Sequence, residues 1–281
     1  MNKKLLFIAG LALLLTLIAT APFLKGCKSD DKPGSDTTII DPPGPQTPGP
    51  KSMSYSIGNT VYPHDTASFT QGLVFYKGGL YEGTGLEGRS KLMKVDLKSG
   101  KALRTINLDA KYFGEGITIL NDTIYQLTWK NKVVFVYSLK DFKKINEFPI
   151  GTEGWGITHN GKELIVCTGG SNLYFYEPSA FRLLRTMSVM ESGGLAYNLN
   201  ELEYVNGYIY ANQWDLPYIL KIDPSTGIVV AKADLSDLLA RIKTKYGGAD
   251  VLNGIAYDEE TKKIYITGKN WPELYEIQFS Q

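Results

Sequence analysis

The chain has 281 residues, 43% of them hydrophobic and 12% aromatic, with 30 basic against 29 acidic side chains. That length buries one sizeable core, and a charge balance this even offers nothing to a phosphate backbone, so nucleic-acid binding is excluded as a main function. Two cysteines make no disulfide framework, and two histidines far apart lack the spacing of a zinc site.

In chain order, the first element is a targeting segment. Lys3 and Lys4 precede an apolar run over 5–19, too short for a comfortable membrane span and followed by Pro22 and Lys25. In "FLKGCKSDD", Leu24, Gly26 and Cys27 resemble a bacterial lipobox, whose cysteine becomes the lipidated first residue of the mature protein. Lys25 departs from that pattern, where small residues are usual. The expectation is a lipoprotein-type signal peptide over 1–26 and a lipid at Cys27. The protein would then be exported and lipid-anchored to the cell envelope, at the periplasm or the cell surface; the alternative is an ordinary cysteine after a cleaved signal. Asp30 and Asp31 resemble the surface-export signals of some Gram-negative bacteria. Cys167, in "LIVCTGG", reads as a buried strand residue rather than a partner for Cys27. Residues 27–52, rich in Pro, Gly, Ser, Thr and Asp, bury too little apolar surface to offset their ordering entropy and read as a disordered tether. Without the three leader lysines the net charge is −2.

From residue 53 to 281 the chain repeats itself. Five units, opening "GLVFYKGGLYEG", "GITILNDTIYQL", "GITHNGKELIVC", "LEYVNGYIYANQ" and "GIAYDEETKKIYITG", each read strand, turn, strand, loop, strand, and usually a fourth strand. "KGG", "NGK", "VNG", "KSG" and "STG" supply the positive φ that hairpin turns need. Gly72, Gly116 and Gly156 recur 44 and 40 residues apart, the period of four-stranded propeller blades. The fifth unit stops before a fourth strand, and the alternating segment "SYSIGNTVY" (54–62) belongs to no unit. Its expected place is the outer edge of blade five, closing the ring. One helix is predicted within 234–248, with Ser236 as its cap, Leu238, Leu239 and Ile242 as its apolar face, and Gly247 as its stop. The predicted fold is all-β, a single five-bladed β-propeller.

In a propeller the first strand of each blade lines the central channel. At its start the five units place Gln71, Glu115, Trp155, Asn200 with Glu201, and Asn253; the turn after the second strand offers Glu82, Trp129, Thr168, Trp214, and Lys269 with Trp271. All four tryptophans fall in these two registers, which is the signature of an aromatic pocket or, failing that, of rings sealing the channel. "FGEGIT" sets Glu115 between Gly114 and Gly116, an arrangement expected to leave space beside the carboxylate for a ligand. A carboxyl among rings has a raised pKa suited to proton transfer, and a lysine facing it stabilises an oxyanion; a solvated loop lysine is the plainer reading of Lys269. Asp96 and Asp223 read as turn-formers, and His64 as an anchor for the segment entering blade one. No nucleophile elbow is present, and "EGTGLEG" (82–88) is followed by no helix, so it is no phosphate loop.

At "YPHDTASFTQGL" the chain closely resembles the plant-type glutaminyl-peptide cyclotransferases, and the resemblance continues through "FGEGIT", "LTWK", "EGWGIT", "NELEYVNG", "NQW", "LNGIAYD" and "TGKNWPELYEI". It covers 54–281 and implies a five-bladed propeller that converts the N-terminal glutamine of peptides and proteins to pyroglutamate with release of ammonia. It further implies Glu115 as catalytic acid/base with Asn200 and Lys269 as polar partners. Gln71, Phe69, Phe113, Trp129, Trp155 and Trp214 would form the substrate pocket, with no metal and no cofactor. The expected partners are Gln-initiated peptides; the membrane is met only through the lipid, and a monomer is expected. Two other classes fit a propeller: a non-catalytic module capturing peptide ends, and a metal-dependent lactonase-like enzyme built on Glu115, Asn200 and Asn253. Cys27→Ser should leave the protein soluble or unprocessed in a membrane fractionation. Fully processed Cys27→Ser that stays with membranes would sink the lipoprotein expectation.

Overall fold

The structure, a computed structural model, describes residues 49–280. The expected signal peptide, Cys27 and the expected tether up to residue 48 lie outside the described residues. Two strands come first, β1 (Lys51–Ser52) and β2 (Ser54–Pro63). Blade one follows as β3 (Thr70–Tyr76), β4 (Gly79–Thr84), β5 (Lys91–Val95) and β6 (Ala102–Asn107). Blade two is β7 (Gly114–Leu120), β8 (Thr123–Thr128), β9 (Val133–Ser138) and β10 (Lys144–Pro149). Blade three is β11 (Ile157–His159), β12 (Leu164–Cys167), β13 (Asn172–Glu177) and β14 (Arg182–Ser188). A small hairpin, β15 (Met190–Glu191) and β16 (Gly194–Leu195), leads to blade four: β17 (Leu199–Val205), β18 (Tyr208–Gln213), β19 (Tyr218–Ile222) and β20 (Val229–Asp234). The helix α1 (Ser236–Lys245) precedes blade five, β21 (Leu252–Asp258), β22 (Lys263–Gly268) and β23 (Glu273–Ser280).

Each blade is an antiparallel meander, and the fold is a five-bladed β-propeller. The innermost strands touch in a closed circuit: β3 with β7, β7 with β11, β11 with β17, β17 with β21, and β21 with β3. Burial follows that geometry. Every residue of β7 and β21 is buried, whereas the outer strands β6, β10 and β14 are almost wholly exposed. The apolar core is therefore not one nucleus but a set of seams between blades. Leu127, Val134, Ile157 and Leu164 pack between blades two and three, and Ile165, Phe175, Leu202 and Leu220 between three and four. Two-residue turns hold the first hairpins of three blades, with positive φ at Lys77–Gly78, Asn121–Asp122 and Asn206–Gly207.

The expected closure is present. β2 pairs antiparallel with β23, from Ser54 opposite Ser280 to Pro63 opposite Glu273, and becomes the outer strand of blade five. Strand pairing begins earlier than residue 53. Lys51–Ser52, expected to fall in the tether, add a short parallel strand to the outer edge of blade four, and Met53 is buried in the core. The helix also departs from expectation. Ser236 is its first residue rather than its cap; the Asp234 carboxylate takes the Ser236 backbone N–H (2.8 Å) and its hydroxyl. Leu238 and Ile242 are buried as expected. Among the described residues no helix is long and apolar enough to cross a membrane.

The glycines of the inner strands do something other than clear space for a ligand. A Cβ on Gly72 would fall 2.4 Å from the Ile117 nitrogen, one on Gly116 2.7 Å from the Trp155 oxygen, and one on Gly156 1.9 Å from the Asn200 oxygen. Gly114 is equally crowded, since its Cβ would lie 2.7 Å from the Thr84 oxygen. These glycines let neighbouring backbones meet around the channel, and the Gly116 N–H donates across that gap to Trp155 O at 2.8 Å. Blade four carries Glu201 at the same position. Its carboxylate accepts from Leu73 N (3.2 Å) in blade one and Ile255 N (2.9 Å) in blade five, bridging the channel instead of opening it.

Two stability measurements check this architecture. Gly156→Ala, which has backbone rather than a flexible side chain to displace, should destabilise by roughly 3 kcal/mol or more in denaturant unfolding. Deleting 54–62 leaves β23 as an open edge and should give aggregated protein in size-exclusion chromatography. A stable, active deletion variant would refute the closure.

Candidate functional site

The starting ends of the five inner strands converge at one mouth of the channel, where an open cavity of about 340 Å³ lies. Its floor and walls are Gln71, Glu115 and Asn200 from the inner strands, Trp155 just ahead of β11, Trp129, Trp214 and Lys269 from the turns after the second strands, and Phe69 and Phe113. All nine residues expected of a catalytic or substrate-binding site are thus neighbours.

Local backbone irregularity aims these groups. In four blades the pairing of the innermost strand slips where the site residue sits: between Thr70 and Gly72, Gly114 and Ile117, Leu199 and Leu202, and Leu252 and Ile255. Gln71, Glu115, Asn200 and Asn253 lie in these bulges, which turn a side chain out of the sheet's alternation and toward the axis.

The cavity is lined mostly by rings in edge-to-face contact. Phe69 meets Phe113 at 6.2 Å and 89°, Phe113 meets Trp129 at 5.5 Å and 65°, and Trp155 meets Trp214 at 5.8 Å and 89°. Two charges are set into this apolar lining, Glu115 and Lys269, 4% and 3% exposed. Burial pushes the Glu115 carboxyl well above its ordinary range; Lys269 works against that shift and Glu153 adds to it. Burial lowers the Lys269 ammonium, with Glu115 and Asp250 opposing. No direct ion pair joins the two among the described residues. Lys269 Nζ instead lies 4.6 Å from the centre of the Phe69 ring, and it is no solvated loop lysine. Asn200 Oδ1 and Trp155 Nε1 are buried with no hydrogen-bond partner, an unusual state that a bound molecule would relieve.

Other residues of the two registers serve the scaffold. Trp271 is fully buried, its indole N–H donates to Asp250 O at 2.9 Å, and it seals a seam rather than lining the cavity. Asn253 is tied to Thr70 O (2.9 Å) and Gln71 Oε1 (3.2 Å). Glu82 lies within β4, where it meets His64 Nε2 (3.1 Å) and accepts from the Thr70 hydroxyl (2.7 Å). His64 Nδ1 in turn reaches Trp271 O at 2.6 Å, so His64 anchors the chain ahead of blade one. Glu203, like Glu201, is spent on the channel. It accepts from Tyr257 N at 2.9 Å and the Thr158 hydroxyl at 3.4 Å, and burial lifts its pKa to about 8. A hollow of about 400 Å³ at the opposite mouth has Glu203 and Asp258 in its wall. Asp258 there already accepts from Glu260 N and the Thr261 hydroxyl, and no buried unpartnered side-chain atom among the described residues belongs to the lining of that hollow. Asp96 and Asp223 each hold a turn, accepting from the Ser99 and Ser225 backbone and hydroxyl groups.

Sequence reasoning missed Glu153. It accepts the Trp129 indole N–H at 2.8 Å, and Gly154 N and Trp155 N are pinned to Thr128 O (3.3 Å) and Cys167 O (3.0 Å). One short segment thereby orients the ring walls of blades two and three. The available signal was an acid two positions before Trp155, in "TEGWG".

The profile described as glutamine cyclotransferase matches residues 36–279. The glutaminyl-peptide cyclotransferase of Arabidopsis thaliana is 39% identical over 224 residues, spanning 78% of this chain and 70% of that protein. The crystal structure of Myxococcus xanthus glutaminyl cyclase superposes with a TM-score of 0.77 at 35% identity, covering 82% of this chain and 98% of that one. The chain belongs to the glutamine cyclotransferase family.

Proposed function

We propose that the cavity cyclises N-terminal glutamine, making this chain a glutaminyl-peptide cyclotransferase with Gln-initiated peptides or proteins as substrates. The observation that carries the mechanism is the pair of buried, uncommitted charges, Glu115 and Lys269, facing one aromatic cavity.

The reaction joins two groups of one residue, so the cavity has only to hold the side chain folded. The substrate α-amine attacks its own γ-carboxamide carbon. Glu115 takes a proton from that nitrogen and returns it to the departing amide nitrogen, so the N–C bond of the lactam forms as the C–N bond to ammonia breaks. Lys269 faces the oxygen that becomes an oxyanion in between, in surroundings that strengthen the interaction by excluding water. Asn200 Oδ1, an unpaired acceptor, suits an N–H of the substrate amine or amide. No metal or organic cofactor is needed for these steps. We further propose that Cys27 carries a lipid and that residues 28–48 tether a monomeric propeller to the cell envelope, on the lipobox-like "LKGC" and the composition that follows it.

Glu115→Gln keeps size and hydrogen bonding but loses the proton shuttle. It should lower kcat by ~10²–10⁴ in an ammonia-release assay while leaving peptide Kd within about tenfold. Near wild-type kcat would overturn the acid/base role, and peptide binding without turnover in the wild type would favour a capture module. The pH profile follows from the two shifts. Activity rises with pH as the raised Glu115 carboxyl ionises, then falls as the lowered Lys269 ammonium loses its proton. Lys269→Met should remove that alkaline limb along with about 10²-fold in kcat. Ammonia release should survive added chelator.

A further inference from the structure

Glutamine held for cyclisation has both its α-amine and its γ-amide inside the cavity, so the peptide can leave only through its α-carbonyl. The second residue of any substrate must therefore cross the rim. That rim is asymmetric. On the Trp129 side it is charged: Lys130 Nζ stands 4.1 Å from the Trp129 ring centre, and Glu153 holds the indole N–H.

On the opposite side it is apolar and exposed. Trp214 is 43% exposed although it lines the cavity and packs edge-on against Trp155. Tyr197 is 58% exposed and Leu216 38%. Their two segments are fastened together: Trp214 N donates to Asn198 O at 2.7 Å, Gln213 Nε2 to Tyr197 O at 3.0 Å, and Leu216 N closes a turn onto Gln213 O at 3.1 Å. Asn198 and Asp215 adopt left-handed backbone (φ 63° at each) to make these bends. Most other large exposed apolar residues, such as Leu103, Ile145, Leu183 and Leu184, sit on the outer strands away from the mouth. Exposed apolar residues whose backbone is fastened to the turn of a cavity-lining tryptophan, before any ligand arrives, suit a recognition surface.

We propose that Tyr197, Trp214 and Leu216 form the subsite for the residue after the N-terminal glutamine, and that this subsite selects peptides with an aromatic or branched apolar side chain there. The inference rests on the cyclotransferase reading, which supplies the direction in which the peptide leaves. Selection acts through binding, because the shelf touches no reacting atom; it should appear in KM and leave kcat nearly constant across substrates.

The test is ammonia release by the full-length protein from glutaminamide, Gln-Gly, Gln-Asp and Gln-Phe. It is run on wild type, Tyr197→Ser, Leu216→Ser and the double variant, with Trp214 left intact. Wild type should favour Gln-Phe over Gln-Gly by about tenfold in kcat/KM, the scale of a side chain partly covered by apolar surface. The double variant should lose most of that preference while its rate on glutaminamide, which has no second residue, stays unchanged. Equal kcat/KM for Gln-Phe and Gln-Gly in wild type, or a preference that survives the double substitution, would overturn the proposal. Failure of wild type on glutaminamide as well would sink the cyclisation reading. The shelf is then judged by indole fluorescence quenching, which must still show tighter Kd for Gln-Phe than for Gln-Gly in wild type and not in the double variant.

Discussion

The fold depends on how closely neighbouring backbones can approach around the channel. Gly72, Gly116 and Gly156 each stand where any side chain would collide with the next blade, in the last case at 1.9 Å from a carbonyl oxygen. Each follows directly on a residue of the cavity: Gln71, Glu115 and Trp155. The residue that lines the cavity and the residue that permits closure are thus consecutive. In blade four the pair is Asn200 and Glu201, and there a buried carboxylate spans the gap by accepting backbone N–H groups from two other blades. Site and scaffold cannot be varied separately at this register.

Three buried carboxyls sit along one channel, and burial raises the pKa of each. Their surroundings separate their roles. Glu201 and Glu203 are held by backbone N–H groups and have their acceptor capacity committed to holding blades together. Glu115 shares its cavity with a buried lysine and aromatic faces, the setting on which its proposed acid/base role rests. A raised pKa alone would not have told these residues apart. Partner inventory does.

Much of this was legible in the sequence because propeller blades repeat, and a repeat converts one local pattern into a register. The turn signals, the 40- to 44-residue spacing and the orphan strand at 54–62 led to the closed ring, and the register brought Gln71, Glu115, Trp155 and Asn200 together. What escaped notice depends on contacts between blades, which no single unit displays. The glycines flanking Glu115 look like open space in one strand and prove to be points of closest approach between strands. Trp271 shares a register with Trp214, yet its indole N–H finds Asp250 O and the ring turns into the core. The bulges that aim the site, the grip of Glu153 on Trp129 and the addition of Lys51–Ser52 to blade four likewise have no signature in strand periodicity.

The closure of blade five has a kinetic side. Ser54 meets Ser280 across 226 positions of chain, so β2, ahead of blade one, pairs with the last strand of blade five. Until β23 exists, β2 has no partner, and blades one to four can form as hairpins but cannot complete the circuit. Contacts of such long range are slow to make, because the loop-closure entropy must be met before any pairing rewards it. A chain lacking β23 would leave β2 without its place in blade five as well. Strand β23 therefore acts as the latch on a ring that stays open, and exposed to aggregation, until it pairs with β2.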